Sequence, residues 1–395
     1  MLSFWDWYNV QEVNLKNLLT QAKDTSELML DLAYAALLYS DEDVAEEVER
    51  FGNSLTSTVR DMQQVCMLAA RSPDDAAGLV TFLRVTDAIA AVGRRAIDIS
   101  RVVLDELGLP EGLRDELTGA LEVTDRVQVA EQSRLDGQDV QTAEWDAQAA
   151  VLLAVHRGHE WMFDPEDTLV LLAGDTLLVR GDTASVGAVR SLAGASARVA
   201  AETPERQDCE LSEVGRAFVE MKNLSEVAVA LGYAVVLTGE PSVAAQVGRL
   251  TRDLGNRRRD IETWALGSGT GGPQRHDVSA LRGLLHLAVA AESLGNAAQD
   301  MATTVQDKDQ FVSVVAEALA ESDDTIAVVE VVEDSSLAGN SLRAAGLGRS
   351  SGVTVLGVSG ERGWDYRPQA TRQLTPGDRL IVSGPHAAVK PLVTQ

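Results

Sequence analysis

Acidic side chains spaced one helical turn apart are the first residues of this sequence that could carry chemistry. Glu27 and Asp31 are four residues apart, and carboxylates at that spacing lie on one face of a helix, where they can share a hard cation. A similar helical segment later in the chain has Glu226 at the position of Glu27, but it has Ala230 at the position of Asp31. Glu292 is a further acidic residue in a third such segment. Because the spacing of Glu27 and Asp31 is not repeated at Glu226, we expect no metal centre from these residues.

The residues for catalysis are also missing from the sequence. It has five His and two Cys, and it contains neither a G-x-S-x-G nor a Walker sequence, so no nucleophile and base are brought together by a known motif. A G-x-G-x-x-G string at residues 267–272 follows a helical segment, whereas the dinucleotide-binding motif follows a strand and opens a helix. We therefore predict no catalytic residues and a protein that is not an enzyme.

The charge balance restricts the partners. Among 395 residues, 60 are acidic and 34 are basic, which gives a formal net charge of −26. Such a field repels nucleic acid and anionic lipid headgroups, so we expect no nucleic-acid partner. Only five of the basic residues are Lys. A Lys-poor, acidic composition is typical of salt-in halophiles and predicts a haloarchaeal source.

Cysteine usage and hydropathy indicate the compartment. Cys66 and Cys209 are far apart and lack the spacing of metal ligands, which is typical of free thiols in a reducing cytosol. No stretch approaches 18 consecutive apolar residues, and the first ten residues lack the pattern of a secretory leader. We therefore expect a cytoplasmic protein.

An internal repeat organises the chain. Residues 23–48 align with residues 222–247 at a constant offset of 199, and Lys, Ser, Glu and Tyr recur at equal positions. Residues 154–181 align with residues 357–384 at an offset of 203, and here Trp, Pro and a Gly-Asp pair recur. The chain is therefore two copies of a two-part unit.

The two parts of each unit differ in hydrophobic period. In the first part, apolar residues recur three and four positions apart, and turn signals at Ser40-Asp41 and residues 72–75 divide it into three helices. In the second part, short β-branched segments predict strands. In the first copy these segments are Val127–Glu131, Val151–Val155, Thr168–Leu172 and Thr176–Val179.

The fold class follows from this alternation. We predict an α+β multidomain protein in which three-helix bundles alternate with small α/β domains in a tandem duplication. The predicted order is a bundle over residues 1–107, an α/β domain over 108–195, a linker over 196–207, a second bundle over 208–305 and a second α/β domain over 306–395.

Motifs in both parts resemble known families. The second part contains a Pro-Gly-Asp segment, Pro376–Gly384 in the second copy, preceded by Tyr366-Arg367-Pro368 and by Ala338–Leu342. This pattern resembles the TrkA C-terminal (RCK C-terminal) ligand-binding domain of potassium-transport regulators. The Lys-Asp-x-Ser-Glu-Leu helix that begins at Lys23 is similar to a PhoU-type bundle. The whole chain thus resembles tandem PhoU-like/TrkA-C proteins of the potassium-transport regulator type.

The resemblance implies a function and a partner. It implies a non-enzymatic cytosolic regulator of potassium (cation) transport that senses a small ligand and acts on a membrane potassium channel or transporter, or on a cation/proton antiporter. Through such a partner the protein would be peripheral to the membrane. Some relatives bind cyclic di-AMP between paired TrkA-C domains. By position, this implies Arg349, Thr354 and Pro368 in the second copy and Pro165 in the first. A nucleotide other than cyclic di-AMP is an alternative ligand.

Two alternatives accompany this interpretation. The PhoU resemblance implies a metal-binding regulator of phosphate uptake that uses Glu27, Asp31, Glu226 and Glu292. For assembly, the two α/β domains could pair within one chain as an intramolecular pseudo-dimer, or across chains in a homo-oligomer. Pairing within the chain would leave the helical bundles free for further association.

Overall fold

The first half begins with three antiparallel helices. The structure is a computed structural model, and it describes residues 15–69, 73–109, 123–143, 150–181, 183–195, 209–238, 241–269, 278–304, 324–333, 335–347, 353–360, 363–366, 368 and 371–393. The predicted linker at 196–207 lies outside these residues. The helices of the first bundle are α1 (Leu15–Tyr39), α2 (Glu42–Ala69) and α3 (Pro73–Leu104).

The predicted turn at Ser40-Asp41 separates α1 from α2. Ser40 has a positive φ of 50°, which reverses the chain, and Asp41 then caps α2 by accepting the backbone N–H of Val44 at 3.0 Å. Glu42 and Asp43 occupy the first turn of α2, where carboxylates interact favourably with the helix dipole. The sequence therefore dictates both the break and the start of the second helix.

The first α/β domain is a four-stranded antiparallel sheet with one helix. Its elements are β1 (Val123–Gln128), β2 (Ala150–Arg157), β3 (Glu160–Phe163), β4 (Thr176–Gly181) and α4 (Thr183–Leu192). The strand order is β1-β4-β2-β3, so the first strand of the domain pairs with the last. This pairing closes the sheet and places the start of β1 beside the end of β4.

One predicted strand of this domain is wrong. The third strand is β3, and the predicted segment Thr168–Leu172 instead forms turns with a single bridge between Asp139 and Val170. The reason is the tight reversal at Gly158, whose φ is +66°, because it lets the chain pair back onto β2 at once. The β-branched content of the later segment therefore did not decide its structure.

The second half repeats the first. Its bundle has α5 (Cys209–Thr238), α6 (Pro241–Gly269) and α7 (Val278–Thr304), and α6 opens with a proline, which suits the first helical position. Its α/β domain has β5 (Asp324–Glu330), β6 (Thr354–Gly360), β7 (Gly363–Tyr366), β8 (Arg379–Pro385) and α8 (His386–Val393). The strand order β5-β8-β6-β7 matches that of the first domain.

Each sheet is buried on both faces. One face packs on the bundle of its own half, where Leu153 and Leu178 of the first domain and Leu356 and Ile381 of the second join the large core of the bundles. The other face packs on the helix and loops of the domain itself, in two separate smaller cores. Both second strands shift register near Leu153 and Leu356, a bulge that turns these leucines toward the bundle.

The main contact between the halves is α3 packed along α7. Fifteen of the 27 residues of α7 are buried, because this helix contacts its own bundle on one side and the first bundle on the other. Pairing of the two α/β domains is thus not what joins the halves in the described part of the chain. The physical reason is that each sheet already covers its apolar face with its own bundle.

Among the described residues, no helix combines the length and the apolar character that crossing a bilayer requires.

Candidate functional site

The Gly-Asp pairs fold as turns in both α/β domains. Gly174 and Gly377 have φ values of 92° and 91°, which glycine adopts without a steric penalty. Asp175 and Asp378 are buried, and each accepts a hydrogen bond from the backbone N–H three residues before it, at 2.8 and 2.9 Å. Each Gly-Asp pair therefore has a structural role, because it forms the turn before the last strand of its domain.

The two turns differ in how the buried carboxylate is neutralised. In the first domain, Arg157 of β2 binds both oxygens of Asp175, through Nε at 2.8 Å and Nη2 at 2.6 Å. These hydrogen bonds raise the pKa of the Arg157 guanidinium above its ordinary value. In the second domain the equivalent of Arg157 is Gly360, and Arg372 lies 3.7 Å from Asp378 instead. The copies therefore conserve the turn but not the arginine.

Two of the residues predicted to bind a ligand, Thr354 and Pro368, lie at one end of a hairpin. Thr354 begins β6, opposite Ser383, and is exposed, and Pro368 is half-buried after β7. Continuing the β6–β7 register places Pro368 at the same end of the hairpin as Thr354. Pro165 is half-buried at the corresponding place after β3. Arg349 lies outside the described residues.

The four carboxylates of the metal alternative each lie next to a cationic side chain. The pairs, with their nitrogen-to-oxygen distances, are Glu27 with Lys23 at 2.6 Å, Asp31 with Arg180 at 2.8 Å, Glu226 with Lys222 at 2.6 Å and Glu292 with Arg258 at 2.6 Å. No group of three or more His, Cys, Asp and Glu that could hold a metal ion occurs among the described residues. The arrangement forms ion pairs instead of converging on one point.

Two of these ion pairs belong to reciprocal clusters between the bundles. Lys23 is buried beside Glu27, and its Nζ lies 5.3 Å from the centroid of the Tyr233 ring in the other half. Lys222 is buried beside Glu226, and its Nζ lies 4.9 Å from the centroid of the Tyr34 ring. Each ammonium thus has a carboxylate partner in its own helix and an aromatic partner across the interface.

The tyrosines of these clusters are held in the protonated form. Burial is the main cause that raises the pKa of Tyr34 and Tyr233 far above the ordinary value, and the nearby carboxylates Glu226 and Glu27 raise it further. A phenolate there would be desolvated and would face a like charge. The clusters therefore combine a cation, a carboxylate and a neutral phenol.

The first α/β domain docks on its bundle through charged residues. Arg180 of β4 donates to Asp31 of α1 at 2.8 Å, and Arg126 of β1 pairs with Asp41 at the start of α2. The Tyr39 hydroxyl lies between the domain and the bundle, 3.1 Å from the backbone nitrogen of Arg126, whose N–H it accepts. The Arg126 guanidinium lies 4.4 Å from the centroid of the Tyr39 ring. This surface is polar at its edge and apolar in the middle.

Sequence reasoning assigned no role to these lysines and arginines. A signal for the lysines was available, since Lys23 and Lys222 are two of only five lysines in the chain and stand at the same place in the repeat. The arginines gave no such signal, because the second copy of the repeat has no arginine at the positions of Arg126 and Arg180. Their partners Asp31 and Asp41 are too distant in sequence for spacing to connect them.

Comparison with known proteins identifies the two small domains. The TrkA-C domain family matches residues 126–194 and residues 326–392, so the predicted alternation of helical bundles with TrkA-C domains is confirmed. No curated protein matches this chain.

Matches among solved structures include a PhoU and a channel. The PhoU from Pseudomonas aeruginosa is 13% identical over 75% of this chain and 96% of that chain, with a TM-score of 0.40. The GsuK channel bound to NAD is 13% identical over 79% of this chain and 65% of that chain, with a TM-score of 0.18. The GsuK RCK domain is 12% identical over 78% of this chain and 77% of that chain, also with a TM-score of 0.18.

Proposed function

We propose that this chain, in which two TrkA-C domains alternate with two three-helix bundles, is a non-enzymatic regulatory protein of potassium (cation) transport. The observation that carries the proposal is the double match to the TrkA-C domain. Each of these domains docks on a bundle through one face of its sheet. A ligand that prefers one arrangement of domain and bundle shifts the population toward it, and a partner bound to the bundle responds to that shift.

The proposed partner is a membrane potassium channel or transporter, or a cation/proton antiporter, which the protein contacts from the cytoplasm. The test is affinity purification of the tagged full chain from native membranes at native salt. We expect a cation-transport protein to be recovered with it. Recovery of phosphate-transport components alone would overturn this assignment.

The proposed ligand is a nucleotide, with cyclic di-AMP as the first compound to test. The proposed site is formed by Arg349, Thr354 and Pro368 of the second domain, with Pro165 as its counterpart in the first. Arginine suits a phosphate group because its guanidinium binds two oxygens at once. A ligand present at 100 times its Kd stabilises the native state by about 2.7 kcal/mol, which a thermal-shift measurement detects.

Matched variants make this ligand test specific. Arg349→Ala removes the proposed phosphate contact, and Thr354→Val introduces the residue that the first domain has at that position, Val151. Both are expected to lose the stabilisation by cyclic di-AMP, while Thr371→Val, an exposed change on the same domain, keeps it. If neither cyclic di-AMP nor any adenine nucleotide shifts the melting temperature, the ligand assignment is wrong and the transport assignment still depends on the purification.

The ion pairs of the four bundle carboxylates favour this function over metal-dependent regulation of phosphate uptake. A carboxylate held by Lys or Arg has to give up that partner before it binds a cation. Elemental analysis of protein purified without chelator distinguishes the two functions. Iron or zinc in stoichiometric amount would support the phosphate alternative.

A further inference from the structure

The two TrkA-C domains dock on their bundles through the same sheet face but with different chemistry. Both contribute apolar side chains to the shared core, Leu153 and Leu178 in the first domain and Leu356 and Ile381 in the second. This apolar component is common to both copies. The charged residues around it are not.

The first interface adds two arginines and two carboxylates. In the pair of Arg180 with Asp31, only 17% and 15% of the two side-chain surfaces are exposed, and the nitrogen-to-oxygen distance is 2.8 Å. Arg126 pairs with Asp41, and its guanidinium lies 4.4 Å from the centroid of the Tyr39 ring and 5.4 Å from that of Trp161. In the docked domain, 17% of the Arg180 side chain and 32% of the Arg126 side chain are exposed, so both guanidinium groups are partly buried.

Asp41 serves two purposes with its two oxygens. Oδ1 accepts the backbone N–H of Val44 and caps α2, while Oδ2 binds Arg126. An Asn at this position keeps the cap, because it also provides a side-chain oxygen, but it removes the charge. The docking contact is thus separable from the helix cap by substitution.

The second interface has neither arginine. By strand register, Val328 stands in the place of Arg126 and Ser383 in the place of Arg180, and by the repeat Ala230 stands in the place of Asp31. Val328 packs against the core of the bundles. Docking of the second domain therefore buries no guanidinium at either of these positions.

We propose that Asp31 and Asp41 form an ionic latch on which docking of the first TrkA-C domain depends, whereas the second domain docks without one. Without the two carboxylates, the docked first domain would hold Arg126 and Arg180 in a partly buried interface without the carboxylates that they bind across it, whereas leaving the bundle would return both guanidinium groups to water. The first domain is thus the one that a change of charge releases. This inference goes beyond the proposed function and requires neither the ligand nor the transporter.

Distance measurements on the full chain test the latch. Spin labels at Ser57 and Thr168 report the first domain on its bundle, and the repeat provides a matched pair at Asn256 and Thr371; all four side chains are exposed. Cys209 is replaced by Ser and the buried Cys66 is retained. At constant ionic strength, Asp31→Asn with Asp41→Asn is expected to abolish the distance peak of the docked state in the first pair and leave the second pair unchanged.

Two further variants separate the latch from general charge or folding effects. Asp43→Asn with Glu46→Gln removes two exposed carboxylates of α2 and is expected to leave the peak in place. Adding Arg126→Val and Arg180→Ser to the undocked variant introduces the residues of the second domain and is expected to restore the peak. The swap Asp31→Arg with Arg180→Asp, which keeps both charges, is expected to remain docked. A first-pair distance that does not change in Asp31→Asn with Asp41→Asn, or that neither repair restores, overturns the proposal.

Discussion

The Nζ of Lys23 lies 5.3 Å from the centroid of the Tyr233 ring, across the contact between the two bundles. The same contact occurs in reverse, with Lys222 4.9 Å from the Tyr34 ring. Since the N-terminal part of each helix faces the C-terminal part of the other, α1 and α5 run antiparallel across the interface. The two halves are therefore related as the subunits of a twofold dimer, within one chain.

Removing one lysine of these reciprocal clusters is expected to destabilise the whole chain. Lys23→Met leaves Glu27 without its ammonium partner, and only 24% of the Glu27 side-chain surface is exposed. Breaking a fully buried pair costs about 3–5 kcal/mol, and we expect about 2 kcal/mol here because water reaches Glu27 in part. Urea denaturation followed by circular dichroism measures the loss. Lys390→Met, at an exposed lysine, serves as the control and is expected to change stability by less than about 0.5 kcal/mol.

The repeat and the turn residues predicted most of the architecture. The change from a helical to a strand period located the bundles and the sheets, and the recurring Gly-Asp pair stands at turns in which Gly174 and Gly377 have positive φ values. The contact between the halves was not predictable in the same way. It brings α3 against α7 and Lys23 against Tyr233, and no local pattern connects residues that far apart.

Local propensity also failed where tertiary contacts decide. Val170 and Leu172 belong to a β-branched and apolar segment that predicted a strand, yet both are 43% exposed and the strand lies earlier, at Glu160–Phe163. After the turn at Gly158, β3 pairs with the free edge of β2, so that edge is no longer available to the later segment. The docking surface was not predictable for a different reason. Arg126 and Arg180 can be recognised as docking residues only when it is known which face of the sheet packs on the bundle.

The buried phenols predict a loss of stability in alkaline solution. Burial raises the pKa of Tyr34 and Tyr233 in the folded state, while the unfolded chain titrates near pH 10. Their contribution is therefore complete below about pH 10, and the free energy of unfolding falls by about 1.4 kcal/mol per pH unit for each phenol above it. Urea denaturation at about pH 8 and about pH 11 measures this slope. In Tyr34→Phe with Tyr233→Phe the slope should be smaller by both contributions, and an unchanged slope would contradict the assignment.

Replacing glycine by alanine is expected to destabilise the Gly-Asp turns and to stabilise α4. Gly174→Ala and Gly377→Ala place a Cβ at φ values of 92° and 91°, and we expect each to cost about 1–2 kcal/mol. Gly187→Ala lies inside α4, where a Cβ meets no atom within 4 Å, and should stabilise by up to about 1 kcal/mol. Melting temperatures of the three variants, measured side by side, check the difference in sign.

The contact between the bundles predicts that a better helix former weakens the protein at Gly283. In the interior of α7, Ala is preferred over Gly by about 1 kcal/mol, but a Cβ at Gly283 would overlap the carbonyl oxygen of Gly108 in the first half. Separating two packed backbones costs about 1–3 kcal/mol, so we expect Gly283→Ala to lower the free energy of unfolding. Gly267→Ala, in α6 with no atom within 4 Å of the new Cβ, should not lower it. A Gly283→Ala variant that proves as stable as Gly267→Ala in urea would contradict the close approach of Gly108 to α7.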